Sequence, residues 1–170
     1  DACGVGLIAS TEGKKSRAIV EYGIEALKAV WHRGAVDADG KTGDGAGIHV
    51  EIPKDFFIEK IQVTGHDYDN SEICVGMIFL PRNDYSAQES CKTIVESELT
   101  KNNFSIYGWR QVPVNPKVLG EKALQTMPEI IQVLFKSNDP NLLNKNLERK
   151  IYETRKRIEN KAFDASLNNF

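Results

Sequence analysis

Cys3 stands close to the start of the chain, in the run CGVGLIA, with Gly4 and Gly6 on either side of Val5. A thiol becomes a useful nucleophile when a base takes its proton or a nearby positive charge stabilises the thiolate. Were a chain to begin at such a cysteine, its free α-amino group, with a pKa of roughly 7.7 to 8.0, would suit that exchange near neutral pH. The glycines let backbone approach a substrate without a Cβ in the way. Alone, a cysteine in an apolar stretch is ordinarily a small core residue.

A second group of chemically versatile residues is His32-Arg33-Gly34, followed by Thr42-Gly43-Asp44-Gly45-Ala46-Gly47. Read separately, Gly34 is a helix C-cap, His32 and Arg33 complement the helix dipole, and the second stretch is a turn leading into a strand. Gly43, Gly45 and Gly47 do not form a dinucleotide fingerprint, which would follow a strand and open a helix. Asp37, Asp39 and Asp44 lack the EF-hand spacing and read as a solvated loop. His32, His49 and His66 have no partner at zinc-ligand spacing. Cys74 and Cys91 fall on apolar faces and read as core. Trp31 and Trp109 read as core or sheet-face aromatics. The basic run Arg149, Lys150, Arg155, Lys156, Arg157 is broken by Glu148, Glu153 and Glu159, the pattern of a salt-bridged exposed helix face.

These residues need elements to hold them. Residues 3–9 read as a short buried strand, and residues 16–32 as a helix with Ile19, Ile24, Leu27 and Trp31 on one side. Residues 34–47 are too rich in glycine and aspartate for regular structure throughout. Residues 48–52 read as a second strand, and Pro53 opens a helix through Lys60. Residues 63–71 are a polar loop. Residues 73–80 are nearly all apolar, which predicts a strand buried on both faces. Ser86 and Glu89 have capping-box spacing ahead of a stripe of Ala87, Cys91, Ile94, Val95 and Leu99. Residues 104–109 and 129–135 read as further strands, with a short helix over 119–126 between them. After a turn at 137–140, the last helix covers 141–163, with Leu143, Leu147, Ile151 and Ile158 inward.

The 170 residues, 41% hydrophobic and 27% charged, are enough for one domain or a piece of a larger one. Lys and Arg number 22 against 24 Asp and Glu, so charge gives no reason to expect nucleic acid or a membrane as partner. No apolar run is long enough to span a bilayer. Three cysteines, an odd and sparse count, fit a reducing compartment, cytoplasmic or plastid stroma.

Taken together, the segments say more than they do singly. CGVGLIA, then WHRGAVDADGKTGDGAGIHVEIP, then VGMIFLPRND, YGWRQVPVNPKVLG and ERKIYETRKRIE resemble, in the same order, the type II glutamine amidotransferase domain of the glutamate synthase family. The resemblance implies an α+β fold, part of a truncated four-layer αββα sandwich of the N-terminal-nucleophile hydrolases, with residues 1–170 as the N-terminal part of that domain. It implies Cys3 as the nucleophile toward the side-chain amide of L-glutamine, with Arg33, Gly34, Asp44 and Gly45 in support. It implies FMN and an iron–sulfur cluster elsewhere in the full-length enzyme and none in this chain. The partners implied are the remaining synthase domains with their 2-oxoglutarate site, and an electron donor that is an NAD(P)H-linked subunit or ferredoxin. Two features depart from the family pattern. Asp1 and Ala2 precede Cys3, whose nitrogen is therefore an amide, as in an unprocessed form. The later segments carrying the family's glutamine-binding arginine and oxyanion Asn-Gly pair are absent, so these residues alone are expected to be inactive. A non-catalytic assembly module is the alternative.

Overall fold

A computed structural model describes residues 4–167. The chain divides into two compact units, one of residues 4–51 with Val114–Thr126, the other of Ile52–Pro113 with residues 127–167. It is α+β, with one three-stranded antiparallel sheet.

The sheet belongs to the second unit. Its strands are β1 (Cys74–Leu80), β2 (Phe104–Gln111) and β3 (Glu129–Ser137), and β3 lies between the other two. The stretch Ile-Ile-Gln-Val-Leu-Phe takes the central position, where both backbone edges are paired and both faces can be covered. One face is packed by α3 (Tyr85–Lys101) and α5 (Asn144–Asp164), whose Val95, Leu99 and Leu147 meet Cys74, Phe104, Val133 and Phe135. The other face receives α2 (Lys54–Val63), whose Phe57 and Ile61 pack on Ile73, Tyr107 and Leu134. Glu98 ties α3 to α5. Its buried carboxylate accepts from Lys161 and pairs with Lys101 at 3.6 Å, contacts that hold it below the usual carboxylate range, Lys161 first.

A bulge in β2 decides what its side chains do. Register runs evenly from Phe104↔Ser137 to Ile106↔Phe135, then resumes at Gly108↔Leu134, so Tyr107 is the extra residue. Strict alternation would set Phe104 and Trp109 on opposite faces. The inserted residue brings both to the α3 side, while Tyr107 points to α2. Gly108 has φ 149, and a Cβ there would come within 2.7 Å of Thr64 Cγ2. Only glycine fits that conformation at that distance.

The first unit holds α1 (Arg17–Ala29), a 3-10 turn (Trp31–Arg33), a second 3-10 turn (Pro116–Val118) and α4 (Glu121–Gln125). Gly120 is its one buried residue among the described residues.

Several expectations need correction. Residues 4–9 and 48–52 are not strands. An apolar segment becomes a strand only where another supplies hydrogen bonds, and these find no partner: Val5 is 97% and Leu7 89% exposed. α1 is shorter than 16–32, and its apolar stripe is at most half-buried, with Trp31 74% exposed rather than in a core. β1 is an edge strand, not buried on both faces, since Met77 and Phe79 are 50% and 51% exposed. The Ser86/Glu89 capping box does not form. Asp84 is the N-cap, its carboxylate accepting from the Ala87 N–H at 2.9 Å. In α5 Leu147 is buried as expected, but Leu143 precedes the helix and is exposed. The exposed basic face of α5 is salt-bridged, through Arg149–Glu153, Arg155–Glu159 and Lys156–Glu159.

Candidate functional site

Gly34, Asp44 and Gly45 of the first unit lie at or beside one hairpin, with Arg33 next to them. α1 ends at Ala29, and the chain tightens into the 3-10 turn, in which Arg33 N–H donates to Val30 O at 2.9 Å and Gly34 N–H to Trp31 O at 3.0 Å. Gly34 leaves the turn in extended conformation, not in the left-handed form of a glycine C-cap. His32 Nδ1 lies 3.2 Å from Ala29 O, at the negative end of α1.

From Ala35 the chain runs out, turns, and returns to Asp44. Val36 bridges Gly43, Asp37 N–H donates to Thr42 O at 2.7 Å, and Asp44 N–H to Ala35 O at 3.2 Å. The Asp44 carboxylate closes the base by accepting from Ala35 N–H at 2.9 Å. Asp44 therefore grips the residue that follows Gly34 with both main chain and side chain. Gly45 continues outward in open space. Gly34, Asp44 and Gly45 are thus gathered at one end of the hairpin, with Arg33 exposed beside them. Cys3 lies outside the described residues.

The tip of the hairpin is organised by a residue that sequence reasoning read only as loop. Asp39 accepts from Lys41 N–H at 2.9 Å, Thr42 N–H at 2.7 Å and the Thr42 hydroxyl at 2.6 Å. Across 82 residues of sequence it also accepts from Glu121 N–H at 3.1 Å. The Thr42 hydroxyl first, and these N–H groups after it, lower its pKa to about 2. Beside it Lys122 pairs with Asp37 at 2.5 Å. No local pattern signals that contact, because its second half lies in another part of the chain.

The hairpin's hydrogen bonds fix its own backbone. Its carboxylates at Asp39 and Asp44 are engaged with backbone N–H groups, so neither is set up as a general base. Cys74 and Cys91 are no substitute nucleophiles. Both are buried, and burial, reinforced by Glu72 and Glu148, pushes the Cys74 thiol up to about 12, while Cys91 is also raised. Among the described residues, no group of three or more His, Cys, Asp or Glu side chains is placed to hold a metal ion. No described helix is long and apolar enough to cross a membrane.

Comparison with known proteins places this arrangement in a family. The family of class-II glutamine amidotransferases matches residues 3–169, and the chain belongs to it. Among its relatives, the glutamate synthase [NADPH] large chain of Azospirillum brasilense is 52% identical over 170 residues, all of this chain and 11% of that protein. The ferredoxin-dependent glutamate synthase of Pyropia yezoensis is 41% identical over 160 residues, 94% of this chain and 10% of that one. Ferredoxin-dependent glutamate synthase 1, chloroplastic/mitochondrial, of Arabidopsis thaliana is 39% identical over 159 residues, 93% and 10% respectively. The chain therefore spans about a tenth of the length of the curated relatives it matches.

Proposed function

We propose that this chain is the N-terminal part of the glutaminase domain of a glutamate synthase, with Cys3 as its nucleophile. The observation that carries the reading is 52% identity to a glutamate synthase across every residue of the chain. In the reaction, the Cys3 thiolate attacks the side-chain amide carbon of L-glutamine, a C–S bond forms, and the C–N bond breaks. The amide nitrogen leaves as ammonia after taking a proton, and water then hydrolyses the γ-glutamyl thioester to glutamate, restoring the thiol. The ammonia serves the amination of 2-oxoglutarate in the remaining domains, with reducing equivalents from an NAD(P)H-linked subunit or ferredoxin.

The base in this scheme is the α-amine of Cys3, which requires the Ala2–Cys3 peptide bond to be cleaved. The start of the family match at residue 3 supports that cleavage point. Arg33, Gly34, Asp44 and Gly45 support the site, as the Asp44–Ala35 bond beside Gly34 allows. The fold of the whole domain is the four-layer αββα sandwich. Exposed Met77 and Phe79, on a sheet face, support it. FMN and the iron–sulfur cluster belong to the rest of the enzyme. Buried thiols with raised pKa at Cys74 and Cys91 do not fit a cluster, whose ligands are thiolates. The compartment is the cytoplasm or the plastid stroma.

The test uses the intact polypeptide. An electrophilic glutamine analogue should modify Cys3 alone, and Cys3→Ala should abolish both labelling and ammonia release from glutamine. Labelling elsewhere, or ammonia release by Cys3→Ala, would refute the assignment. Residues 1–170 alone should release little ammonia, since the site hairpin stands in a unit whose one buried residue, among those described, is Gly120.

A further inference from the structure

The first unit has an unusual means of holding its shape. Its apolar side chains are exposed or half-buried, and its one buried residue among those described is a glycine. Hydrophobic packing therefore does little to fix the hairpin that carries Asp44. What fixes it is a polar clasp, in which the Asp39 carboxylate bonds Thr42 at both N–H and hydroxyl and reaches Glu121 N–H at 3.1 Å. Gly120 makes that reach possible. A Cβ on Gly120 would fall 2.5 Å from Thr42 N and closer still to Thr42 Oγ1 and the Asp39 carboxylate. The two segments touch backbone to backbone because nothing stands between them.

The hairpin is short, and its two ends are coupled. Thr42, held at the tip, accepts from Asp37 N–H at 2.7 Å, and two residues further on Asp44 grips Ala35 at the base. Releasing Thr42 frees the strand that aims Asp44 and, through Ala35, the backbone at Arg33 and Gly34.

We infer that Asp39, Thr42 and Gly120 are positioning residues for the glutaminase site, holding the Arg33–Asp44 hairpin through the clasp to the segment around Glu121. The inference rests on the glutaminase reading of Cys3. It assigns a catalytic consequence to a segment, residues 114–126, that contains none of the site residues Cys3, Arg33, Gly34, Asp44 and Gly45.

The test uses the full-length synthase with Asp39→Asn, Thr42→Val, Thr42→Ser and Gly120→Ala, and three readouts. The first is amide hydrogen exchange in peptides covering residues 35–45 and 118–124. The second is the rate constant for modification of Cys3 by an electrophilic glutamine analogue, which a fraction of misfolded molecules does not alter. The third is kcat/KM for release of ammonia from L-glutamine. Displacing a site group by about 1 Å can cost on the order of a hundredfold. Asp39→Asn, Thr42→Val and Gly120→Ala should therefore accelerate exchange in both peptides and lower the labelling rate constant and kcat/KM roughly ten- to a hundredfold. Thr42→Ser, which keeps the hydroxyl, should behave as wild type. Unchanged exchange in all variants would show that there is no clasp. Faster exchange with wild-type labelling and kcat/KM would show a clasp that positions nothing. A wild-type protein that neither labels nor releases ammonia would remove the glutaminase reading and this inference with it, whatever exchange shows.

Discussion

Replacing Gly108 with alanine should destabilise the second unit more than any exposed substitution, and the contributions can be separated. The residue sits at φ 149, a region that costs an L-residue about 1 to 3 kcal/mol. Its added methyl would press on Thr64 Cγ2 at 2.7 Å and Thr64 Cβ at 2.9 Å. Thr64 cannot easily retreat, because its hydroxyl is 2.6 Å from Ile61 O and 2.7 Å from Tyr107 O. Overpacking of this kind costs about 1 to 3 kcal/mol. The sum is about 2 to 6 kcal/mol, and at a central value of about 4 kcal/mol the melting temperature should fall by about 8 to 16 °C for a chain of this size. Gly65→Ala supplies the control. That glycine also has positive φ, 83, but open space around its Cβ position, so only the backbone cost of about 1 to 2 kcal/mol remains. Thr64→Ser removes the nearest clashing atom and keeps the hydroxyl, so in the Gly108→Ala background it should recover about 1 kcal/mol relative to additivity. Urea unfolding followed by circular dichroism reads wild type, the three single variants and the double variant. If Gly108→Ala costs no more than Gly65→Ala, or Thr64→Ser gives no recovery, the steric reading of the bulge is wrong.

The N-cap assignment predicts that Asp84→Ala costs about 1 kcal/mol in urea unfolding, while Ser86→Ala costs less than about 0.5 kcal/mol; the reverse order would restore the capping box. Tyr107→Phe should cost about 1 kcal/mol by removing the bond to Asp69 at 2.9 Å. Lys136, then Ser71 and Tyr107, hold Asp69 well below the usual carboxylate range. Its depressed folded-state pKa contributes stability above the unfolded pKa of about 3.9, and this is lost as pH falls through the folded value. The stability gap between wild type and Asp69→Asn should thus stay level from pH 8 to 5 and narrow below about pH 4, and a gap constant to acid would refute it. Cys74 and Cys91, with raised pKa and buried sulfur, should resist a thiol-specific disulfide reagent at pH 8 until the chain is unfolded in urea.

Much of the second unit was legible because its elements are local. The apolar run at Cys74–Leu80, the stripe through Cys91, Val95 and Leu99, and the long charged helix around Leu147 each announce their type through spacing. The ordered motifs likewise pointed to the amidotransferase family, which the match over residues 3–169 shows. Spacing was a poor guide where pairing decides. Residues 48–52 have the composition of a strand, but composition does not provide the neighbour whose N–H and C=O groups make one. The exposure of Met77 and Phe79 follows from β1 lying at the sheet edge, which no run of apolar letters records.

The sequence by itself determined which residues could do chemistry and the order of the elements around them: Cys3, the turn at Arg33 and Gly34, and the glycine-rich return through Asp44 and Gly45. Tertiary structure alone decided how the last of these are held. Asp44 bonds Ala35 nine residues back, and Asp39 bonds Glu121 across 82 residues, with Gly120 leaving room for the contact. The same is true of β2, where one inserted residue carries Trp109 to the face of Phe104. In each case the deciding quantity is a distance between atoms far apart along the chain, and hydrophobic periodicity describes only neighbours on one element.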